Sequence, residues 1–228
     1  KSSLINCLRI LEDVDNSKDF VYSADGSAPT GEVQTTQCTR SYRFPRTETT
    51  QSVYRPMRKN ASDDYAFKYV VLWDLPGYGT SEHPFESYFQ DKTLYAFDFA
   101  TSSTLTESEE KIILKANEYN RPVIIVVTRQ DISVGEKAKK RGLLSRHRKP
   151  TFEQYDSIVD ETIHEAKNSL RDSLKLLPLQ QCPPIFVISA HEYRTYMTEP
   201  KDAEVALLSM ETINFIHYLI ETTSDRRS

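Results

Sequence analysis

The residues best suited to chemistry in this chain follow an apolar run near its middle. Val70-Val71-Leu72-Trp73 leads into Asp74, and Gly77 comes three residues later. An aspartate at a strand end can hold the shell of a Mg²⁺ ion, and the backbone N–H of the glycine can face the γ-phosphate of a nucleotide. This spacing predicts magnesium and phosphate chemistry, although a strand followed by an ordinary turn would carry the same residues.

The start of the chain offers the partner that such an aspartate needs. Lys1-Ser2-Ser3 matches the end of a glycine-rich phosphate-binding loop, in which the lysine reaches the β- and γ-phosphates and the next serine ligates Mg²⁺. We expect all three residues to contact nucleotide, and the first strand and the glycines of the loop to be missing ahead of Lys1. A helix is expected to follow, and a chance Lys-Ser pair at a terminus is the alternative.

A threonine-rich segment lies between that helix and Asp74. It reads Thr30-Gly31-Glu32-Val33-Gln34-Thr35-Thr36. In a nucleotide switch, one threonine completes the Mg²⁺ shell only while the γ-phosphate is present, and we expect Thr36 to do so. A threonine-rich entry into a strand explains the segment equally well.

Two further strand ends carry residues suited to reading guanine. Thr128-Arg129-Gln130-Asp131 follows one apolar run, and Ser189-Ala190 follows another. The Asp131 carboxylate can accept hydrogen bonds from the ring N–H and the amine of guanine, a pattern that adenine does not offer, while the Arg129 guanidinium can stack over the base. We expect Thr128 to lie beside them and the backbone of Ser189-Ala190 to complete the base pocket. A strand followed by a polar turn is again the alternative.

The elements that must position these residues alternate between strand and helix patterns. Apolar, β-branched runs predict strands that are buried on both faces, and their alternation with helices favours an α/β fold with a mainly parallel sheet flanked by helices. These runs lie at 70–73, 123–127 and 185–188. Two capping boxes, Thr106–Glu109 and Thr151–Gln154, predict helix starts.

The remaining segments set the expected domain limits. The polar stretch 46–64 is expected to form a long loop or the tip of a hairpin, and a last helix is expected over 203–222. We therefore expect one domain over residues 1–222, followed by a polar tail at 223–228.

Composition excludes several classes of function. The net charge of −4 provides no global field for nucleic acid. Three widely spaced cysteines indicate a reducing, cytoplasmic compartment, and the apolar run Val123–Val127 is too short to span a bilayer. The basic segment 137–149 is expected to be a solvated loop, with contact to an anionic membrane surface or to a partner domain of the same kind as the alternative.

Taken together, the motifs resemble those of the immunity-related, interferon-inducible GTPase family. The resemblance covers nearly the whole chain, and the W-D-L-P-G segment is its most specific part. It rests on Thr30-Gly31-Glu32-Val33 with Thr36, Trp73-Asp74-Leu75-Pro76-Gly77-Tyr78-Gly79, Lys149-Pro150-Thr151-Phe152 and Pro184-Ile185-Phe186-Val187-Ile188-Ser189. It implies a P-loop NTPase with a Ras-like G domain that binds GTP, GDP and Mg²⁺, hydrolyses GTP slowly, and self-assembles through its G domains at intracellular membranes.

The resemblance also implies which residues take part in hydrolysis, namely Lys1, Gln34, Thr36 and Gly77. Gln34 stands where the family often carries a glutamate, and glutamine can hydrogen-bond a water but cannot act as a base. Tyr78 stands where Ras-like enzymes use glutamine to orient the attacking water. The strand at 97–102 is shorter than its family counterpart, so we expect it to be stunted.

Two other classes of protein compete with a GTPase. A catalytically dead G-domain scaffold, acting through protein contacts, is the main alternative. An ATP-binding P-loop protein is less favoured, because Asp131 stands where a guanine reader is expected.

Overall fold

Strands and helices alternate along the chain, which is an α/β protein. The structure is a computed structural model that describes residues 2–15, 21–30, 39–57, 67, 70–74, 97–101, 104–198 and 207–225. The chain forms two compact units, residues 1–88 with 213–228 and residues 89–212.

The first unit contains two small pairs of strands and begins with a short helix. Strands β1 and β2 pair in parallel, whereas β3 and β4 pair antiparallel, so that Arg40 lies opposite Asp74. The elements are α1 (Ser2–Leu8), β1 (Val14–Asp15), β2 (Pro29–Thr30), β3 (Arg40–Arg43), α2 (Glu48–Tyr54), a 3-10 turn (Arg55–Met57) and β4 (Val71–Asp74).

Strand β4 is not buried on both faces, and that prediction was wrong. Val71 and Trp73 are exposed by 41% and 60%, while Asp74 is buried. Leu72 packs against a small core that contains Ile5 and Tyr42. The strand therefore alternates between a core face and an open face, as is usual for an antiparallel pair with only one side on the core.

The prediction of a loop over 46–64 was also wrong where the structure describes that stretch. The Thr47 hydroxyl caps α2 by accepting the backbone N–H of Thr50, and the backbone N–H of Thr47 donates to the Thr50 hydroxyl oxygen in return. Tyr54 at the end of α2 is fully buried, and its hydroxyl donates to the Leu8 carbonyl at 2.7 Å. Its ring meets Phe67 edge-on, with 4.5 Å between the centroids. Burial of this aromatic ring stabilises a helix in which Val53 is the only other apolar residue.

The second unit is built on a parallel sheet of order β5–β6–β7. All five residues of β5 pair with β6, so the strand that we expected to be stunted matches the length of its neighbour. Strand β6 is buried along its whole length, as predicted. The elements are β5 (Phe97–Thr101), α3 (Glu107–Glu118), β6 (Val123–Val127), α4 (Gln130–Lys140), α5 (Phe152–Lys175), β7 (Ile185–Val187) and α6 (Ala190–Thr198).

Both predicted capping boxes are confirmed, at Thr106 for α3 and at Thr151 for α5. Helix α7 spans Leu207–Asp225, which confirms a helix over the described part of the predicted range and extends it into the predicted tail. The first residues of that range, 203–206, lie outside the described residues. Glu211 of α7 pairs with Lys167 of α5 at 2.7 Å and accepts the backbone N–H of Val187 on β7 at 3.4 Å.

Candidate functional site

The first residue of α1 and the last residue of β4 meet in the first unit. The Ser2 hydroxyl donates to Oδ2 of Asp74 at 2.8 Å. Both residues are buried, with exposed fractions of 8% and 2%. The two sequence motifs, 72 residues apart, therefore converge on one point.

Helix α1 is held in place by two buried polar side chains, one within the helix and one directly after its last residue. Asn6 forms two hydrogen bonds with the backbone of Ala28, accepting at 2.6 Å and donating at 2.8 Å. The guanidinium of Arg9 is fully buried and donates to three carbonyl oxygens, those of Ala24, Gly26 and Arg43. These bonds satisfy a charge that would otherwise be costly to bury. They fix the helix that presents Ser2.

The second unit brings together the two motifs that the sequence analysis assigned to guanine binding. The Ser189 hydroxyl, which follows β7, donates to Oδ1 of Asp131 in the first turn of α4 at 3.0 Å. Ser189 is fully buried and also accepts the backbone N–H of Glu192 at 3.1 Å. Its hydroxyl therefore links the start of α6 to the Asp131 carboxylate.

The backbone between β6 and α4 turns sharply at Arg129. This residue has φ 61° and ψ 28°, in the left-handed region that residues other than glycine seldom adopt. Its side chain is exposed, and Thr128 before it is half-buried. Strained backbone of this kind concentrates at functional sites, and here it directs the chain so that Asp131 falls in the first turn of the helix.

Two residues beside Asp131 and Ser189 were missed by the sequence analysis. Tyr155 fits the apolar spacing of α5, but it is only half-buried and its hydroxyl donates to Oε1 of Glu192 at 2.8 Å. Burial raises the pKa of Tyr155 well above its ordinary value, and the hydrogen bond to Glu192 and the nearby charges of Glu192 and Asp131 raise it further. The phenol thus keeps its proton and acts as a donor. The spacing Ser189-x-x-Glu192, typical of a capping box, could have identified Glu192.

The other predicted site residues are placed less closely or fall outside the described ranges. Ser3 is exposed on α1, and Ala190 begins α6. Lys1, Gln34, Thr36 and Gly77 lie outside the described residues, as does Tyr78. Among the described residues, Ser2 therefore contacts Asp74 in one unit, and Ser189 contacts Asp131 in the other.

The residues present fit the two groups that the motifs imply. Ser2 and Asp74 offer a hydroxyl and a carboxylate oxygen, the hard donors that Mg²⁺ prefers. No cluster of three or more His, Cys, Asp and Glu side chains suited to a metal occurs within the described part of the chain. When Mg²⁺ is held mainly by phosphates and waters, the protein usually provides only one or two of its ligands. Asp131 offers the carboxylate that a guanine edge requires.

Two further features of the described residues concern cysteine and membrane chemistry. Cys7 is a buried free thiol and Cys182 an exposed one, while Cys38 lies outside the described residues. Among the described helices, none has the length and apolar character needed to cross a bilayer.

Comparison with known proteins identifies the family. The model of the interferon-inducible GTPase (IIGP) family matches residues 1–201. Immunity-related GTPase family M protein 3 of Mus musculus is 24% identical over 191 residues, which is 82% of this chain and 34% of that protein. Immunity-related GTPase family M protein 2 of the same species is 25% identical over 227 residues, 97% of this chain and 44% of that protein. The chain thus spans less than half the length of either relative. With the family model matching most of its length, the chain belongs to the interferon-inducible GTPase family.

Proposed function

We propose that the chain provides the nucleotide-binding part of a GTPase switch that binds GTP and GDP with Mg²⁺ and hydrolyses GTP slowly. The observation that carries this proposal is the buried hydrogen bond from Ser2 to Asp74. It joins the end of a phosphate-binding motif to the aspartate of a D-x-x-G motif, which is the pairing that P-loop GTPases use around magnesium. Membership of the family supports the same reading.

The proposal assigns the phosphate end of the nucleotide to residues of the first unit. Ser2 and Thr36 would hold Mg²⁺, with Asp74 in the outer shell of the ion, and Lys1 would neutralise charge on the β- and γ-phosphates. Mg²⁺, when bound, supplies charge neutralisation at the phosphates. The Thr36 hydroxyl and the Gly77 backbone N–H sense the γ-phosphate. The residues proposed to contact the phosphates and the metal are Lys1, Ser2, Ser3, Gln34, Thr36, Asp74 and Gly77.

The guanine base is assigned to residues of the second unit. Asp131 accepts from the guanine N–H groups, Arg129 stacks its guanidinium over the base, and Thr128 lies beside them. The Ser189-Ala190 backbone completes the pocket. In its full form the proposal is a Ras-like G domain over residues 1–222 with a mainly parallel sheet, for which the parallel order β5–β6–β7 gives support.

Calorimetric titration with GDP and ADP tests nucleotide binding. We would compare this chain with a form extended upstream by a glycine-rich phosphate loop, in the presence of Mg²⁺. The proposal expects the extended form to bind GDP in preference to ADP, and Asp131→Ala to lose that preference. Asp172→Ala, which removes an exposed carboxylate of α5, is the matched control. Guanine preference that survives in Asp131→Ala would overturn the assignment of the base site.

Measured turnover separates a slow GTPase from the alternative, a catalytically dead scaffold. That alternative is favoured by two sequence observations, Gln34 in place of the family's glutamate and Tyr78 in place of the water-orienting glutamine of Ras-like enzymes. The proposal expects slow phosphate release that accelerates with protein concentration, because two G domains would align the water. Tight GTP binding without phosphate release at any concentration would favour the scaffold.

Attachment to an intracellular membrane surface belongs to the same proposal and would rest on the basic segment 137–149. Lys137 and Arg141 pair with Glu165 and Glu161 of α5 at 2.6 Å each. Exposed cations remain at Lys139, Lys140, Arg146, Arg148 and Lys149. Sedimentation with vesicles that contain phosphatidylserine tests this, with Lys139→Glu/Lys140→Glu expected to reduce binding and Arg121→Glu as the control. Equal sedimentation of all three proteins would leave the segment a solvated surface.

A further inference from the structure

Tyr155 and Glu192 lie beside the guanine-reading residues but belong to neither motif. Tyr155 stands one turn into α5, where its backbone N–H bonds to the carbonyl of the capping residue Thr151 at 2.9 Å. Its hydroxyl reaches across to Oε1 of Glu192, in the first turn of α6, at 2.8 Å. The two helices are thus joined at their N-terminal ends.

A continuous series of hydrogen bonds runs from this contact to Asp131. The Glu192 backbone N–H donates to the Ser189 hydroxyl oxygen at 3.1 Å, and that hydroxyl donates to Oδ1 of Asp131 at 3.0 Å. A serine hydroxyl has a single proton. Since Ser189 is fully buried and already accepts from Glu192, its proton has a defined direction, toward the Asp131 carboxylate.

The role of Glu192 differs from that of a glutamate in an ordinary capping box. In such a box the glutamate side chain turns back to the backbone N–H of the capping residue. Here the carboxylate accepts from Tyr155 instead, which ties the first turn of α6 to α5. The position of the Glu192 backbone N–H, and with it the Ser189 hydroxyl, then depends on a residue 37 positions earlier in the chain.

We propose that Tyr155 and Glu192 are positioning residues that hold the Asp131 carboxylate, through Ser189, in the orientation from which it accepts both N–H groups of guanine. This inference rests on the proposed function, because it concerns how the base-reading carboxylate is held. Loss of the Tyr155–Glu192 contact should weaken the hydrogen bond between Asp131 and the exocyclic amine of guanine. It should therefore lower discrimination against hypoxanthine, which lacks that amine.

The test is the ratio of the GDP and IDP affinities, measured by calorimetry in the upstream-extended protein with Mg²⁺. Tyr155→Phe removes the hydroxyl and keeps the ring. We expect it to reduce the GDP:IDP ratio about fivefold, the effect of one ordinary hydrogen bond. Glu192→Ala should give the same reduction, and the double variant no further loss. Glu192→Gln keeps an acceptor oxygen and should restore the wild-type ratio.

The matched control is Tyr22→Phe, which also removes a hydrogen-bonding hydroxyl, the donor to the Ser41 carbonyl at 2.6 Å, but in the first unit. It should leave the ratio unchanged. An unchanged ratio in Tyr155→Phe and Glu192→Ala, in a protein whose Asp131→Ala variant loses guanine preference, overturns the inference and leaves the proposed function standing. Absence of GDP binding in the wild-type extended protein overturns both.

Discussion

The Ser2 hydroxyl, at the start of the first helix, donates a hydrogen bond to the Asp74 carboxylate. The proximity of these two residues was predictable from the sequence. Lys-Ser at a helix start and an aspartate at a strand end form a pair whose chemistry requires proximity, and the structure places them 2.8 Å apart. The Tyr155–Glu192 contact was not predictable in the same way. Tyr155 fits the apolar spacing of α5, and nothing in a periodic pattern shows that a ring at the margin of a buried stripe directs its hydroxyl to another helix.

We expect Ser2→Ala to weaken Mg²⁺-dependent nucleotide binding and to destabilise the fold. The substitution removes a proposed metal ligand, and it also removes a hydrogen bond from a buried carboxylate, which costs about 1–3 kcal/mol. Calorimetric GDP titrations with and without Mg²⁺, together with thermal unfolding, measure the two effects. Ser2→Thr should retain both properties, and Ser169→Ala, at an exposed position of α5, is the control. An unaltered Mg²⁺ dependence in Ser2→Ala would remove Ser2 from the metal site.

Tyr155 should make the stability of the protein depend on pH in the alkaline range. Its pKa is raised in the folded state, mainly by burial and then by Glu192. The unfolded chain therefore loses the phenol proton first, near the ordinary tyrosine value of about 10, and the free energy of unfolding falls as pH rises above that value. The stability that the neutral phenol contributes is fully present below about pH 10. Urea unfolding at a series of alkaline pH values should show a steeper decline for wild type than for Tyr155→Phe, and parallel declines would contradict this.

At the scale of elements, local signals predicted helix starts well and burial less well. The capping boxes at Thr106 and Thr151 are short-range patterns whose hydrogen bonds need no distant partner, and both form. The two-sided burial expected for β4 fails at Trp73, because burial of a strand depends on what covers it, and a run of apolar residues does not specify that. Helix α2 was missed for the same reason, since the ring contacts of Tyr54 come from other segments.

The cap of α5 offers a direct test at this scale. Thr151→Ala removes the side chain that accepts the Gln154 N–H at 3.3 Å, and we expect a loss of about 1 kcal/mol in the free energy of unfolding. Thr151→Ser should keep the cap and most of the stability. Denaturant unfolding followed by circular dichroism measures both. A Thr151→Ala protein as stable as wild type would show that burial of the α5 stripe alone sets the start of the helix.

At the scale of the whole molecule, the two compact units each carry one part of the proposed nucleotide chemistry. Ser2 and Asp74 belong to the first, Asp131 and Ser189 to the second. The α/β class and the family were predictable from motif order, because the motifs alternate with the elements that present them. The division into two compact units has no signal in the sequence pattern, and a single domain over residues 1–222 stays a prediction.

Self-assembly is the prediction that concerns the molecule as a whole. If the chain acts as proposed, the upstream-extended protein should form larger species with a non-hydrolysable GTP analogue than with GDP. Light scattering coupled to size-exclusion chromatography measures the mass of these species. With either nucleotide, Asp131→Ala should have the mass that the wild type has without nucleotide. Identical masses for the wild-type protein in GTP-analogue and GDP would remove self-assembly from the proposal.

Trp73 is the single tryptophan of the chain, and it is 60% exposed one residue before Asp74. Excitation at the red edge of protein absorption selects it over the thirteen tyrosines, so its emission reports on the end of β4 alone. The indole is solvated, and its spectrum should therefore shift to the blue whenever a ligand or a second protein covers that face. The protein thus contains its own optical probe at the carboxylate on which the proposed chemistry depends, with no added label.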